Sequence, residues 1–215
     1  TIRLTLIILF SALILVGCKK ELEPLQDNIE TPIFFVSGDI DTVPFSFTAG
    51  EKGYYMETQF IQQRDTFGNP LPLSLRSYLT KKNCLNCQKS FSIYVMSTNY
   101  DTSFSFFNID SIFYVGREIK ITSDSTFNIN LFTPNNVLVS LNNSSTSFDR
   151  YYSSRVVQTS GKMKITKVEP FDNNDYGMKT VKVSFDIVCF VADATYTPIR
   201  KITASGTFAF AYPSP

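Results

Sequence analysis

The chain has 215 residues, 20 basic and 19 acidic side chains, a formal net charge of +1 and no histidine. The lack of histidine excludes Ser-His-Asp and Cys-His nucleophile pairs and the usual ligand sets of zinc hydrolases. Because the charges are balanced and form no long block, nothing indicates nucleic acid as a partner.

The first predicted element is a signal peptide. Arg3 precedes a mostly apolar run over residues 4–16, which is shorter than the roughly 20 residues of a membrane-spanning helix. The run ends in Leu15-Val16-Gly17-Cys18, which resembles the lipobox recognised by lipoprotein signal peptidase. We therefore expect a lipoprotein signal peptide at 1–17 and lipidation of Cys18; the alternative is an ordinary secretory signal with an incidental cysteine. Several acyl chains, at roughly 0.8 kcal/mol per buried CH₂, anchor a protein stably.

The segment after the lipobox is predicted to be a flexible tether over residues 18–31. It begins with Lys19-Lys20-Glu21-Leu22-Glu23-Pro24, which resembles the surface-export signal of Bacteroidota lipoproteins. The expected location is therefore the outer membrane, on either the cell surface or the periplasmic face. A solvated tether without an export role is the alternative for this segment.

Residues 32–215 are predicted to form a single all-β domain. Short segments alternate apolar and polar residues and are separated by turn signals, a pattern typical of an antiparallel β-sandwich, either jelly-roll or immunoglobulin-like. No long helical period follows the signal, although residues 104–112 could hold a short helical turn. The clearest alternating apolar rows are Val43, Phe45 and Phe47; Phe91, Ile93 and Val95; Val181, Val183, Phe185, Ile187, Cys189 and Val191; and Phe208, Phe210 and Tyr212.

Three segments of this domain resemble a known group of proteins. They are Gly38-Asp39-Ile40-Asp41 leading into Val43-Pro44-Phe45, the segment over 160–168 that begins Ser160-Gly161-Lys162, and Ala204-Ser205-Gly206-Thr207-Phe208 near the end. Their order is similar to small Bacteroidota lipoproteins with an "IDG-x-P/W" opening, a "G-x-ITIT" strand and a closing "SGTF-x-F" strand. Thr42 stands where that family usually has glycine. The resemblance implies a β-sandwich and an exported location, and it implies no activity.

The cysteines of the domain carry separate predictions. Cys84-Leu85-Asn86-Cys87 is a CxxC motif, which in an oxidising compartment favours a local disulfide between Cys84 and Cys87. Free thiols, or a metal or redox site, are the alternatives. Cys189 belongs to an apolar row and is predicted to be buried as a small apolar residue; a long-range disulfide to Cys84 or Cys87, which would leave one cysteine unpaired, is the alternative.

The predicted function is a non-catalytic binding or structural module, tethered by its lipid, with an envelope protein or a glycan as partner. Tyr54, Tyr55, Tyr151 and Tyr152 are the main candidates for stacking on a glycan, and Tyr94, Tyr100 and Tyr196 are further candidates. The Asp and Asn residues of 172–175 are predicted to form a turn; Ca²⁺ binding is the alternative. A glycoside hydrolase using two carboxylates is a further alternative. No catalytic residue, metal or cofactor is assigned.

Overall fold

The structure is a computed structural model that describes residues 33–61, 67–68, 73–81, 89–97, 108–122, 136–142, 150–171, 179–193 and 195–212. The predicted signal peptide, the tether and Cys18 lie outside the described residues. The same holds for Cys84 and Cys87, for Tyr100 and for the turn predicted at 172–175.

The described residues form eleven strands and two short 3-10 helices. The 3-10 helices cover Ile109–Ser111 and Ser153–Arg155, and the first confirms the short helical turn predicted within 104–112. The strands are β1 Phe35–Ile40, β2 Val43–Thr48, β3 Tyr54–Ile61, β4 Ser74–Lys81, β5 Ser90–Met96, β6 Glu118–Ile121, β7 Asn136–Asn142, β8 Arg150–Tyr152, β9 Lys162–Pro170, β10 Lys179–Val191 and β11 Arg200–Tyr212.

These strands form one continuous sheet in the order β2-β1-β11-β10-β9-β6-β7-β5-β4-β3, with β8 paired to β7. Every pair of neighbouring strands is antiparallel except β6 and β7, which run parallel. The prediction of an all-β domain is thus confirmed for the described residues. Jelly-roll and immunoglobulin-like domains pack two sheets face to face. Here a single sheet folds over on itself into a barrel-like sandwich that is nearly closed.

The closure of the sheet depends on a contact between β3 and the end of β11. The backbone N–H of Ala211 donates a hydrogen bond to Thr58 Oγ1 at 2.7 Å. Thr58 Oγ1 in turn donates to the carbonyl oxygen of Arg76 at 3.1 Å. The Thr58 side chain therefore accepts a backbone hydrogen bond of the kind that a neighbouring strand accepts elsewhere along β11.

The core lies between the two halves of the folded sheet, as the period-two rows predict. The rings of Phe45 and Phe91 stack at 5.8 Å between centroids, and Phe91 meets Phe208 edge-on at 6.0 Å. Phe185 packs edge-on against Phe208 at 5.3 Å. Edge-to-face rings at these distances add to the stability from apolar burial. Strands that are distant in sequence are thereby held together by aromatic packing.

Two details differ from the alternating pattern. Val43 is 53% exposed, because it begins the edge strand β2 beside the exposed turn at Asp41 and Thr42. The residues that alternate with Phe208 and Phe210, namely Thr207, Ala209 and Ala211, are also buried although a period of two predicts that they face water. Lys182 on β10 lies directly opposite Ala209, and the long side chain of a lysine can cover the methyl group of an alanine beside it.

Strands β1 and β11 approach each other closely at two glycines. A Cβ atom at Gly38 would lie 2.1 Å from the carbonyl oxygen of Thr203, and one at Gly206 would lie 2.4 Å from that of Phe35. Any side chain at either position would force the strands apart. These glycines therefore let the hairpin of β1 and β2 pack against the centre of the sheet.

Candidate functional site

The outer face of the β3–β4–β5–β7–β8 part of the sheet carries a row of polar and aromatic side chains. Register places Glu57 opposite Tyr78 and Tyr78 opposite Ser92. The same row continues through Ser140 to Tyr152. Since neighbouring strands lie about 4.8 Å apart, Tyr78 and Tyr152 stand about 14 Å apart, with two small serines between them.

At one end of this row the Glu57 carboxylate accepts hydrogen bonds from two tyrosine hydroxyls. The hydroxyl of Tyr78 donates to Glu57 Oε1 at 2.8 Å, and that of Tyr55 donates to Glu57 Oε2 at 3.2 Å. The amide Nε2 of Gln59 donates to the Tyr78 hydroxyl at 2.9 Å. Burial raises the pKa of Tyr78 well above its usual value, and the hydrogen bond to Glu57 raises it further. Tyr78 therefore remains a neutral donor at any physiological pH.

An arginine and a tyrosine stack in the next part of this face. The guanidinium carbon of Arg76 lies 5.2 Å from the centroid of the Tyr94 ring, a distance typical of a cation–π contact. Tyr94 also packs on Met96 and Leu138, both of which are buried. Burial raises the pKa of the Tyr94 phenol, while the positive charge of Arg76 partly opposes that rise.

A second arginine lies between two tyrosine rings at the far end of the row. The guanidinium carbon of Arg155 is 4.9 Å from the ring centroid of Tyr152 and 5.5 Å from that of Tyr196. Arg155 Nη1 also donates to the carbonyl oxygen of Asp193 at 2.9 Å. Tyr196 is 48% exposed, so this stack opens to solvent.

The loop that carries Tyr196 is held by its own hydrogen bonds. Asp193 Oδ1 accepts from the backbone N–H of Thr195 at 2.8 Å and from its hydroxyl at 2.6 Å. The hydrogen bond from the Thr195 side chain is the main reason that the pKa of Asp193 is lowered. Tyr196 has a φ of +65°, a conformation that is uncommon outside glycine and asparagine. The loop thus places the Tyr196 ring over Arg155 in spite of backbone strain.

We name this surface the tyrosine–arginine band and define it by six residues. Register places Tyr94 opposite Leu138 on β7 and Tyr152 opposite Ser140, two residues further along the same strand. The six residues are Arg76, Tyr78, Tyr94, Tyr152, Arg155 and Tyr196.

The structure corrects two of the predicted glycan-stacking residues. Tyr54 and Tyr151 are buried, each only 8% exposed, and therefore cannot form an exposed platform. Consecutive strand residues point to opposite faces, so only one member of each Tyr-Tyr pair can face outward. Tyr55 and Tyr152 are half-buried and lie on the same outer face.

Sequence reasoning missed Arg76, Tyr78 and Arg155. A signal for the first two was present, because Arg76 and Tyr78 alternate with the buried residues Leu75 and Leu79 along β4. The position of Arg155 had no such signal. It depends on a 3-10 helix and on a loop 40 residues further along the chain.

A pocket of about 390 Å³ lies beside the β6–β9 pair, and its lining includes Glu118, Lys120, Gln158 and Lys162. Lys162 Nζ lies 2.7 Å from Glu118 Oε1, and this hydrogen bond lowers the pKa of Glu118. Among the described residues of its lining, Glu118 is the single carboxylate. The described lining therefore lacks the pair of facing carboxylates that glycoside hydrolysis requires.

Cys189 is fully buried, which confirms the prediction that it is a buried residue of the apolar row. Burial raises the pKa of its thiol to about 12, so the thiol stays protonated and unreactive at neutral pH. Among the residues that the structure describes, no three Cys, Asp or Glu side chains lie close enough together to hold a metal ion.

Comparison of the chain with protein-family models, with curated proteins and with solved structures gave no match. Within the described part of the chain, no helix has the length and apolar character needed to cross a membrane.

Proposed function

We propose that this chain is an outer-membrane lipoprotein, held by lipid on Cys18, whose β domain acts as a non-catalytic binding module for a protein of the cell envelope. The lipobox at residues 15–18 and the apolar run before it support the anchor. A single domain built around one continuous sheet supports a binding role, because such a sheet presents a large and rigid outer face.

The observation that carries the binding role is the stack of Arg155 between Tyr152 and Tyr196. Tyrosine and arginine are among the residues that contribute most to binding energy at protein interfaces. The rings and the guanidinium are already ordered in the free domain by their mutual stacking. Binding through them therefore costs little side-chain entropy.

The geometry of the stack favours a protein over a sugar as the partner at this end of the band. Arg155 already covers one face of each neighbouring ring, which leaves less aromatic surface for a flat sugar ring. The remaining guanidinium N–H groups suit carboxylate or carbonyl oxygens of a partner. We expect that partner to present acidic side chains toward Arg155 and Arg76.

A photo-crosslinking experiment tests this proposal in living cells. A benzoylphenylalanine introduced in place of Tyr196 should give an adduct of defined mass, and Arg155→Ala in the same chain should abolish it. The matched control is the same replacement at Tyr114, which is 54% exposed and also lies under an arginine, Arg117 at 5.5 Å. No adduct from position 196, or the same adduct from both positions, would contradict the proposal.

Glycan binding is a second candidate, favoured by the network around Glu57. A carboxylate, two phenols and the amide of Gln59 lie together on the sheet face, and sugar hydroxyls need such a mixture of donors and acceptors. Binding of envelope or environmental polysaccharides should then fall in Glu57→Gln and stay unchanged in Arg155→Ala. Equal loss in both variants, or in neither, would remove this candidate.

A further inference from the structure

A second pocket, distinct from the tyrosine–arginine band, opens between the edge strand β2 and the start of β3. Its volume is about 390 Å³, and three lysines from three separate segments line it. Lys52 comes from the turn before β3, Lys81 is the last residue of β4, and Lys89 directly precedes β5. We name it the lysine pocket.

The charge of the lysine pocket has one sign. The part of its lining that the structure describes contains no Asp or Glu, and the ion pairs formed among the described residues use other cations: Lys162, Lys167, Lys182 and Arg200. Three ammonium groups around one concave surface repel one another and concentrate anions there. An anionic ligand would relieve this repulsion.

Buried aromatic residues lie beneath the lysine pocket, and the exposed Pro44 lines it beside them. Phe45, Phe47 and Tyr54 line it, and Phe47 meets Tyr54 at 5.3 Å between ring centroids. Lys81 Nζ lies 5.1 Å from the centroid of the Tyr54 ring. This cation–π contact holds the ammonium group above that ring. The pocket thus combines fixed positive charge with an apolar surface beside it.

Backbone conformation provides an independent observation at Lys52. Its φ is +49°, in the left-handed region that glycine and asparagine adopt more easily. Gly50 and Gly53 in the same turn also have positive φ values. A lysine in such a position costs stability, and strain of this kind concentrates at functional sites.

Strand β2 contributes the remaining wall of the pocket. Within the described residues β2 pairs only with β1, so its other edge presents unpaired backbone groups. Ser46 lies on this edge, is exposed and lines the pocket. Its hydroxyl adds a neutral donor to the three cationic donors.

We propose that the lysine pocket binds a soluble organic sulfate or phosphate monoester. The tetrahedral oxyanion lies among the ammonium groups of Lys52, Lys81 and Lys89, and the organic part lies against Pro44, which is exposed and lines the pocket. Three cations suit a tetrahedral oxyanion, with its three terminal oxygens, better than a single carboxylate. The apolar surface of Pro44 favours an ester over the inorganic ion.

The test is a titration of the full chain, ¹⁵N-labelled and held in a neutral detergent, with phenyl phosphate, phenyl sulfate, inorganic phosphate and benzyl alcohol. Amide shifts should move at Phe45, Ser46, Phe47 and Lys81 with the two esters. The esters should bind about tenfold more tightly than inorganic phosphate, because only they cover the apolar surface of Pro44. Added salt should weaken binding, because it screens the charges. Shifts scattered over the domain, or equal shifts with benzyl alcohol, would overturn the proposal.

Charge-matched variants distinguish binding at the lysine pocket from nonspecific electrostatic attraction to the protein. The triple variant Lys52→Gln, Lys81→Gln, Lys89→Gln should bind phenyl phosphate about tenfold or more weakly. The control triple Lys120→Gln, Lys179→Gln, Lys201→Gln removes the same charge from exposed positions outside the lysine pocket and should bind like the parent. Lys52→Gln alone, on an exposed turn, should weaken binding without threatening the fold. Equal weakening in both triples would refute the site.

A last comparison distinguishes a soluble ester from a lipid headgroup. Neutral bicelles and bicelles containing phosphatidic acid are added to the same labelled chain. The proposal expects the pocket amides to respond to phenyl phosphate and not to the acidic bicelles. A response to the acidic bicelles alone would overturn it in favour of a membrane contact.

Discussion

At the scale of single residues, the turn between β1 and β2 contains a strained threonine. Asp41 and Thr42 have φ values of +48° and +77°, as in a type I′ turn, whose second central position prefers glycine. The turn is otherwise well held, because Asp41 Oδ1 accepts from the backbone N–H of Lys201 at 2.8 Å. The strain at Thr42 is therefore a local cost that the neighbouring contacts outweigh.

Replacement of Thr42 by glycine should stabilise the protein. Removing a β-branched residue from the left-handed conformation should stabilise the folded state by about 1–2 kcal/mol. The greater conformational freedom of glycine in the unfolded chain should cancel about half of that gain. We expect a gain of roughly 0.5–1 kcal/mol in urea denaturation. The control Thr203→Gly, on an exposed position within β11, should destabilise instead. A loss of stability in Thr42→Gly would contradict the argument.

Gln158 shows how one side chain can substitute for a missing strand. Its Oε1 accepts from the backbone N–H of Phe190 at 3.0 Å, and its Nε2 donates to the carbonyl oxygens of Phe190 and Ser153. The pairing of β9 with β10 ends at Val188. The amide of Gln158 therefore satisfies the backbone of β10 just beyond the last pair.

Loss of the Gln158 amide should be costly. Gln158→Leu leaves the N–H and C=O of Phe190 without this partner, and each unsatisfied group costs about 1–3 kcal/mol. Gln158→Glu keeps the acceptor and loses the donor, so its effect should be intermediate. Thermal or urea unfolding measures both. Gln59→Leu, which removes one hydrogen bond on the sheet face, should cost less, and an equal cost would argue against the role of Gln158.

At the scale of elements, the near-closure of the sheet depends on Thr58. This side chain links β3 to both β4 and β11. Thr58→Val keeps the shape of the side chain and removes the hydroxyl. The unfolding free energy should fall by about 1–3 kcal/mol, and hydrogen exchange at the Ala211 amide should accelerate selectively. Thr58→Ser keeps the hydroxyl and should retain slow exchange at that amide. Unchanged exchange in Thr58→Val would show that the contact does not protect β11.

At the scale of the whole molecule, the proposed lipid anchor would determine where the binding surfaces can act. Cys18→Ala removes the residue proposed to be acylated, and we expect the variant to move from the membrane fraction to the soluble fraction, because it lacks the acyl chains that would anchor it. Cys189→Ala, which changes a buried thiol far along the chain, is the control and should stay in the membrane fraction. Persistence of the Cys18→Ala variant in membranes would disprove the anchor.

Local features of the fold followed from the sequence. The alternation from Val181 to Val191 predicted both the strand β10 and the burial of Cys189, because the side chains of a strand alternate between its two faces whatever the strand pairs with. The same rule shows why Tyr55 and Tyr152 face outward while Tyr54 and Tyr151 do not. The lipid on Cys18 and the disulfide of Cys84 and Cys87 remain predictions from the sequence.

Only the tertiary structure decided which outward residues meet. The tyrosine–arginine band joins residues from Arg76 to Tyr196, and the lysine pocket joins three separate segments. Neighbouring strands such as β6 and β9 are far apart in the chain, and their register depends on the packing of the whole core. A pattern with a period of two residues determines which face each side chain takes. It carries no information on which strands become neighbours, because long-range packing selects that arrangement.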